Sequence, residues 1–203
     1  MAPGDDSEGI AFDGTNLRIS GGNGLIYTVD RLTGAVLGSI PAPGFVDGLA
    51  FGNGKLYATS TTELQVYELD PATGAITAQF ASAGHDGLEF ALGAPNVLFL
   101  GDVGSDEIIR ARASDLAVLE VINLTDLALA AGIEGTDNPY GLAYDGEFLY
   151  YADQTRDRLV KVAIPSQGSV SEPDGLTLAM LALMALLIRC ALNARRDRLL
   201  TAL

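Results

Sequence analysis

Five residues recur along this chain at a nearly constant interval, and the interval constrains the fold more than any local motif does. Asp47-Gly48-Leu49-Ala50-Phe51 is preceded, 39 residues earlier, by Glu8-Gly9-Ile10-Ala11-Phe12 and followed, 39 residues later, by Asp86-Gly87-Leu88-Glu89-Phe90. A fourth copy, Tyr140-Gly141-Leu142-Ala143-Tyr144, arrives after a longer step of 54. A unit of about 40 residues with strand-like content cannot bury its apolar face alone and reaches stability by packing against further copies.

The repeat beginning at Val46 shows the internal grammar. Gly48 to Phe51 is a short apolar strand, and Gly52-Asn53-Gly54-Lys55 offers residues that tolerate positive φ, which is what a tight hairpin needs. Leu56 to Thr59 forms the returning strand. After a polar loop, Leu64-Gln65-Val66-Tyr67-Glu68-Leu69 alternates with the period of two expected of a half-buried strand. Asp70-Pro71-Ala72-Thr73-Gly74 is a turn in which Pro presets φ and Gly takes the left-handed position, and Ala75 to Phe80 is the last strand. Four antiparallel strands in about 40 residues make one blade of a propeller, so the predicted fold class is all-β with about four blades.

The other repeats follow the same order. Repeat three is extended at its end by Leu124 to Pro139, where Leu127 to Ala131 predicts one or two helical turns. Repeat four stops after Ile164, with no counterpart of the turn and strand at Asp70 to Phe80. The expectation is therefore a propeller that is incomplete as written: either the natural polypeptide begins upstream of Met1, or the arc needs a partner to cover its edge. Gly-Leu-Ala-Phe with its following Gly, and the Asp-Pro-Ala-Thr-Gly turn, resemble NHL-type and YVTN-type β-propeller repeats over residues 8 to 164. Such propellers host both binding modules and enzymes, so the resemblance implies fold rather than activity. Arg18 departs from the pattern, standing where the other repeats have Tyr57, Phe99 and Tyr150; a charge there is expected to mark a blade edge near the seam.

Charge is unevenly distributed. Residues 1 to 175 hold 25 acidic and 8 basic side chains, whereas residues 176 to 203 hold four Arg and one Asp. Phosphate binding needs a basic surface, so the repeats exclude nucleic acid and favour cations or basic partners. The single cysteine, Cys190, excludes an internal disulfide and any cysteine-based zinc site. No signal peptide is visible at Met1 to Glu8.

A third region follows the repeats at residues 1–165: a polar linker at 166–175, then an apolar run from Leu176 that continues through Leu192 and ends at Arg195, Arg196 and Arg198. Seventeen residues reach the lower limit for a transmembrane helix, and acidic residues before it with arginines after it place its C-terminus in the cytoplasm and the repeats outside. Val170-Ser171-Glu172-Pro173, followed by this helix at 176–198 and its Arg cluster, resembles the PEP-CTERM sorting signal of bacteria. The resemblance implies processing by an exosortase-like membrane enzyme: inner-membrane attachment first, then delivery to the cell envelope or outside. A plain membrane anchor is the alternative.

Within the repeats, Glu8, Asp47 and Asp86 each precede the repeat glycine, so equivalent positions on successive blades would form a ring at one mouth of the channel. Two readings stand: convergence on a divalent cation such as calcium, or a cap by each carboxylate on the backbone turn before its inner strand. Resemblance to metal-dependent lactonase propellers adds Asn138 near the matching point of repeat four, where Tyr140 replaces the acid. The loops Asp102 to Glu107 and Asp153 to Asp157 read as solvated. His85, the only histidine, adjoins Asp86 and is a candidate general base at the same mouth. There is no nucleophile elbow, dinucleotide fingerprint or Walker loop. The expected role is a noncatalytic, exported, envelope-associated propeller that binds protein or carbohydrate, with a divalent-metal-dependent lactonase-type hydrolase as the alternative.

Overall fold

The computed structural model describes residues 7–93, 95–130 and 138–163. The chain divides into two units, Met1–Ile164 and Pro165–Leu203, and all described residues belong to the first. The linker at 166–175 and the expected sorting helix at 176–198, with its basic end, lie outside the described residues. No helix among the described residues is long and apolar enough to cross a membrane.

The four repeats fold as four antiparallel sheets in chain order, a four-bladed propeller-like arrangement. Blade one comprises β1 (Ile10–Phe12), β2 (Leu17–Gly21), β3 (Leu25–Val29) and β4 (Val36–Pro41). Blade two comprises β5 (Gly48–Gly52), β6 (Lys55–Ser60), β7 (Gln65–Leu69) and β8 (Ile76–Ala81). Blade three comprises β9 (Gly87–Ala91), β10 (Val97–Asp102), β11 (Glu107–Arg112) and β12 (Val118–Asn123), followed by the short helix α1 (Leu124–Ala130). Blade four has three strands among the described residues: β13 (Pro139–Tyr144), β14 (Phe148–Asp153) and β15 (Arg158–Ala163).

Local chemistry sets the turns. Gly52 pairs with Lys55, leaving Asn53 and Gly54 as a two-residue hairpin loop with φ of 52° and 74°. Both central residues of a type I′ turn need positive φ, and Asn-Gly is the pair that adopts it most readily. At the β7–β8 turn, Asp70 Oδ1 accepts the amides of Ala72 and Thr73 at 2.8 and 2.9 Å, and the Gly74 amide closes onto the Asp70 carbonyl.

The core lies between blades. Ala11, Ile26, Leu49 and Leu56 belong to the cluster joining blades one and two; Ala50, Tyr57, Leu88 and Phe90 join blades two and three; Phe99, Ile108, Leu149 and Tyr151 join blades three and four. Alternation explains the division, since successive strand residues face opposite neighbours. Tyr57 accordingly stacks on Phe90 of the next blade with centroids 5.5 Å apart. On blade one, Ala11 faces blade two, while Ile10 and Phe12 are turned the other way and are 59% and 50% exposed.

The repeat glycine has a packing cause. A β-carbon at Gly9 would stand 2.9 Å from the Leu49 amide nitrogen, and one at Gly87 would stand 2.9 Å from Leu142 Cγ and 3.0 Å from the Pro139 carbonyl. A β-carbon at Gly48 would collide with the Asp86 carbonyl. In three successive blades the neighbouring inner strand takes the space a side chain would need. Gly141 differs: among the described residues its nearest neighbour is Ala152 Cβ at 3.8 Å.

Arg18 does not mark the seam. Arg18 pairs with Ala11, whose side chain lies between blades one and two. The guanidinium donates through Nε to Asp13 Oδ2 at 2.8 Å and through Nη1 to the Pro71 carbonyl of blade two at 3.0 Å. The charge is accommodated because a carboxylate and a turn carbonyl meet it, so Arg18 fastens one blade to the next.

Candidate binding mouth

Each inner strand begins at the same end of the assembly, and the residue before or beside its glycine points into one cavity of about 580 Å³. Glu8, Asp47, Asp86 and Tyr140, the four equivalent positions, all line it. Blade four supplies the remaining polar wall with Asp153, Gln154, Asp157 and Arg158. Among the described residues, five carboxyl groups therefore line this cavity against one guanidinium, with Leu159 and Ala152 as apolar members of the wall.

The carboxyls are not equivalent. Asp47 is 7% exposed and acts on its own blade: its Oδ2 accepts the Thr61 amide at 2.7 Å and its Oδ1 accepts the Thr61 hydroxyl at 3.0 Å. Those bonds hold the loop between β6 and β7, not a turn before the inner strand. The Asp153 carboxylate meets Arg158 Nε at 2.8 Å and Arg156 Nη1 at 3.2 Å. The Asp86 carboxyl receives no hydrogen-bond donor among the described residues, although its backbone carbonyl accepts the Thr59 hydroxyl at 3.4 Å. Burial, reinforced by the nearby charges of Asp47 and Asp102, pushes its carboxyl above the usual aspartate range. An incoming positive charge would relieve that repulsion.

Three acidic residues from the sequence ring share the cavity, but among the described residues no group of three or more His, Cys, Asp or Glu side chains is spaced to hold a metal ion. Asn138 does not line the mouth. Oriented to satisfy its amide, it donates to Asp106 Oδ1 at 2.9 Å and to the Val103 carbonyl at 3.2 Å, and accepts from the Thr155 hydroxyl at 2.6 Å. It thus ties the loop of blade three to that of blade four.

His85 also stands elsewhere. Adjacency to Asp86 predicts the mouth, but the imidazole is 5% exposed and lines a separate cavity with side chains of β10, β11 and β12. Both residues lie in the extended segment leading into β9, where neighbouring side chains take opposite directions. A general-base role at the mouth has no geometric support. Conversely, the sequence places Asp153 and Asp157 in a solvated loop, whereas with Arg158, which begins the next strand, they form the mouth's fourth side. Their signal was the matching placement of Asp102 and Asp153, each the final residue of a second strand. The residues Val170, Glu172, Pro173, Arg195, Arg196 and Arg198 lie outside the described residues.

Four antiparallel blades around a carboxyl-rich mouth define a β-propeller protein. Its fold is similar to that of the glutaminyl cyclase of Myxococcus xanthus, with 17% identity, a TM-score of 0.60, and 78% of this chain matched to 74% of that one. It is also similar to hydrazine synthase of Kuenenia stuttgartiensis, at 16% identity and a TM-score of 0.52, where 80% of this chain spans 50% of the other. The computationally designed protein Ika4 is matched over 96% of its length by 81% of this chain, with 14% identity and a TM-score of 0.50. At these identities the likeness is one of fold alone. No protein-family model matches the chain, and no curated protein sequence does.

Proposed function

We propose that the propeller is a noncatalytic binding module that takes a positively charged group of a protein or carbohydrate ligand into its acid-lined mouth. One observation carries this reading: Glu8, Asp47, Asp86, Asp153 and Asp157 face a single cavity of about 580 Å³, with Asp86 raised in pKa by burial and like charge. A bound ammonium group would lower the cost of ionising Asp86 and gain charge-assisted hydrogen bonds. Titration calorimetry with a lysine-containing peptide and its acetylated form tests it: the amine form binds and the acetylated form does not.

The same module is proposed to be exported and held at the bacterial envelope. The order of the Val170-Ser171-Glu172-Pro173 motif, apolar run and terminal arginines supports this reading. A tagged full chain in an exosortase-bearing host is then cleaved near Glu172-Pro173; membrane-retained, uncleaved protein leaves only an anchor.

The metal-dependent hydrolase is a second reading, favoured by the shared cavity of Glu8, Asp47 and Asp86. Both Asp47 oxygens are already engaged by Thr61, so this ligand set does not fit a metal as placed. Stoichiometric divalent ion in the purified protein, lost on Asp47→Ala, would restore it.

A further inference from the structure

Blade four keeps the face that each other blade turns toward its successor, and among the described residues no blade covers it. Ile26 of β3, Val66 of β7 and Ile108 of β11 hold matching places on third strands, and each is fully buried against the next blade. Leu159, at the same place on β15, is 71% exposed. Ala143 matches Ala50, which is buried at the junction of blades two and three, yet Ala143 is exposed. Small and apolar residues retained on an open face mark a contact surface rather than a solvated one.

Blade one presents the complementary half. Leu49 and Leu88 are buried against the preceding blade, whereas the matching Ile10 is exposed; Phe12 is likewise exposed where Phe90 is buried. Both exposed side chains stand on β1, with Leu17 and Ile19 half-buried beside them, while Tyr27 and Val29, farther out on the same face, are buried. The open part of blade one is therefore its inner edge. No hydrophobic cluster among the described residues joins blade four to blade one.

Aromatic pairing and charge divide between the same two faces. Tyr57 of blade two stacks on Phe90 of blade three, and Phe99 of blade three packs on Tyr144 of blade four with centroids 5.6 Å apart. The next pair in this series is Tyr150 of blade four with Phe12 of blade one. Glu68 of blade two and Arg112 of blade three line one cleft between their blades. At the matching positions of blades four and one stand Lys161 and Asp30, again of opposite sign.

We propose that these faces are two halves of one interface, and that a second copy of the chain supplies the missing half: blade four of each copy docks on blade one of the other. The pattern of the three junctions inside the chain is continued, in residue type, aromatic pairing and charge, by the chain's own blade one. Such a head-to-tail contact is heterologous, and it forms a ring where the rotation closes. Two copies of four blades give a ring of eight, within the roughly four to eight blades that propellers use. Association needs no ligand, so the proposal stands apart from the cation reading of the mouth.

Sedimentation velocity of the full chain, in a mild non-ionic detergent that shields the apolar run at 176–192, reads the association. The unmutated chain is expected to sediment as a dimer. Phe12→Glu on blade one and Leu159→Glu on blade four, both at exposed positions, each raise the dissociation constant about thirtyfold or more, the effect of losing a central apolar contact. An equimolar mixture of the two variants retains one intact junction, blade four of the Phe12→Glu chain on blade one of the Leu159→Glu chain, and associates more tightly than either variant alone. Should Leu159→Glu not fold, Lys161→Glu, which sets two acids against each other at the same junction, takes its place. A monomeric unmutated chain, a dimer unaffected by either substitution, or a mixture that associates no better than its components overturns the proposal.

Discussion

The carbonyl oxygen of Asp86 occupies the space that a β-carbon on Gly48 would need, so the inner strands of blades two and three meet with backbone against backbone. The contact also sets the width of the mouth, because Asp86 lines it and is held at this distance by the glycine. Thr59 completes the arrangement: its hydroxyl accepts the Gly48 amide at 2.9 Å and would lie 2.7 Å from an added β-carbon. Gly48→Ala is therefore expected to destabilise the domain by roughly 1–3 kcal/mol, the range for overpacking. Gly141→Ala, which meets only Ala152 at 3.8 Å among the described residues, should be near neutral. Urea unfolding midpoints of the two variants check the contrast, and equal losses would contradict the close-approach account.

Glu89 predicts a pH dependence. It stands in β9 at the place filled by Ala11, Ala50 and Ala143 in the other blades, and burial pushes its carboxyl up to about 7 from 4.5. Between those values the folded chain binds more protons at Glu89 than the unfolded chain does, so stability falls as pH rises through this window. The loss is on the order of 3 kcal/mol from pH 4.5 to 8. Glu89→Ala should flatten the curve and raise stability at pH 8. Glu68 acts in the opposite sense: burial raises its pKa, but hydrogen bonds from Lys55, Thr77 and Tyr57 outweigh it and hold the carboxyl low. Its stabilisation is present above the ordinary glutamate pKa and is lost as pH falls through the lowered folded value. Urea titrations at pH 3, 5 and 8 separate the two.

Arg18 gives a third test. Its bonds to Asp13 and to the Pro71 carbonyl are largely shielded from water, with the two charged side chains 14% and 10% exposed. Arg18→Ala is expected to cost about 1–3 kcal/mol through the lost charge-assisted bonds. Arg18→Met keeps the aliphatic stem and should recover only part of the loss. Full recovery by methionine would show that packing alone holds blade one to blade two at this point.

How much of this was legible beforehand depends on the reach of each interaction. The strand order, the Asn53-Gly54 hairpin and the Asp70 turn rest on local chemistry and a period of 39, and they read directly from the chain. The direction of Arg18 and the cavity of His85 depend on which blade face a side chain joins, a relation between residues far apart in sequence. The part played by Asp153 and Asp157 at the mouth was hidden for the same reason: a polar loop looks solvated until the neighbouring blades are placed around it. The ring of Glu8, Asp47 and Asp86 was legible because symmetry converts a repeat position into a spatial one, although symmetry did not reveal that Thr61 already holds Asp47.

The most direct test of the central claim is titration of the full chain with a lysine-containing peptide and its acetylated counterpart, at low salt and at 0.5 M salt, alongside Asp86→Asn. The account predicts binding of the amine form alone, weakened by salt because the attraction is electrostatic, and weakened at least several-fold in Asp86→Asn. Equal binding of the two peptides, or an Asp86→Asn variant that binds the amine form as well as the unmutated chain does, would contradict it.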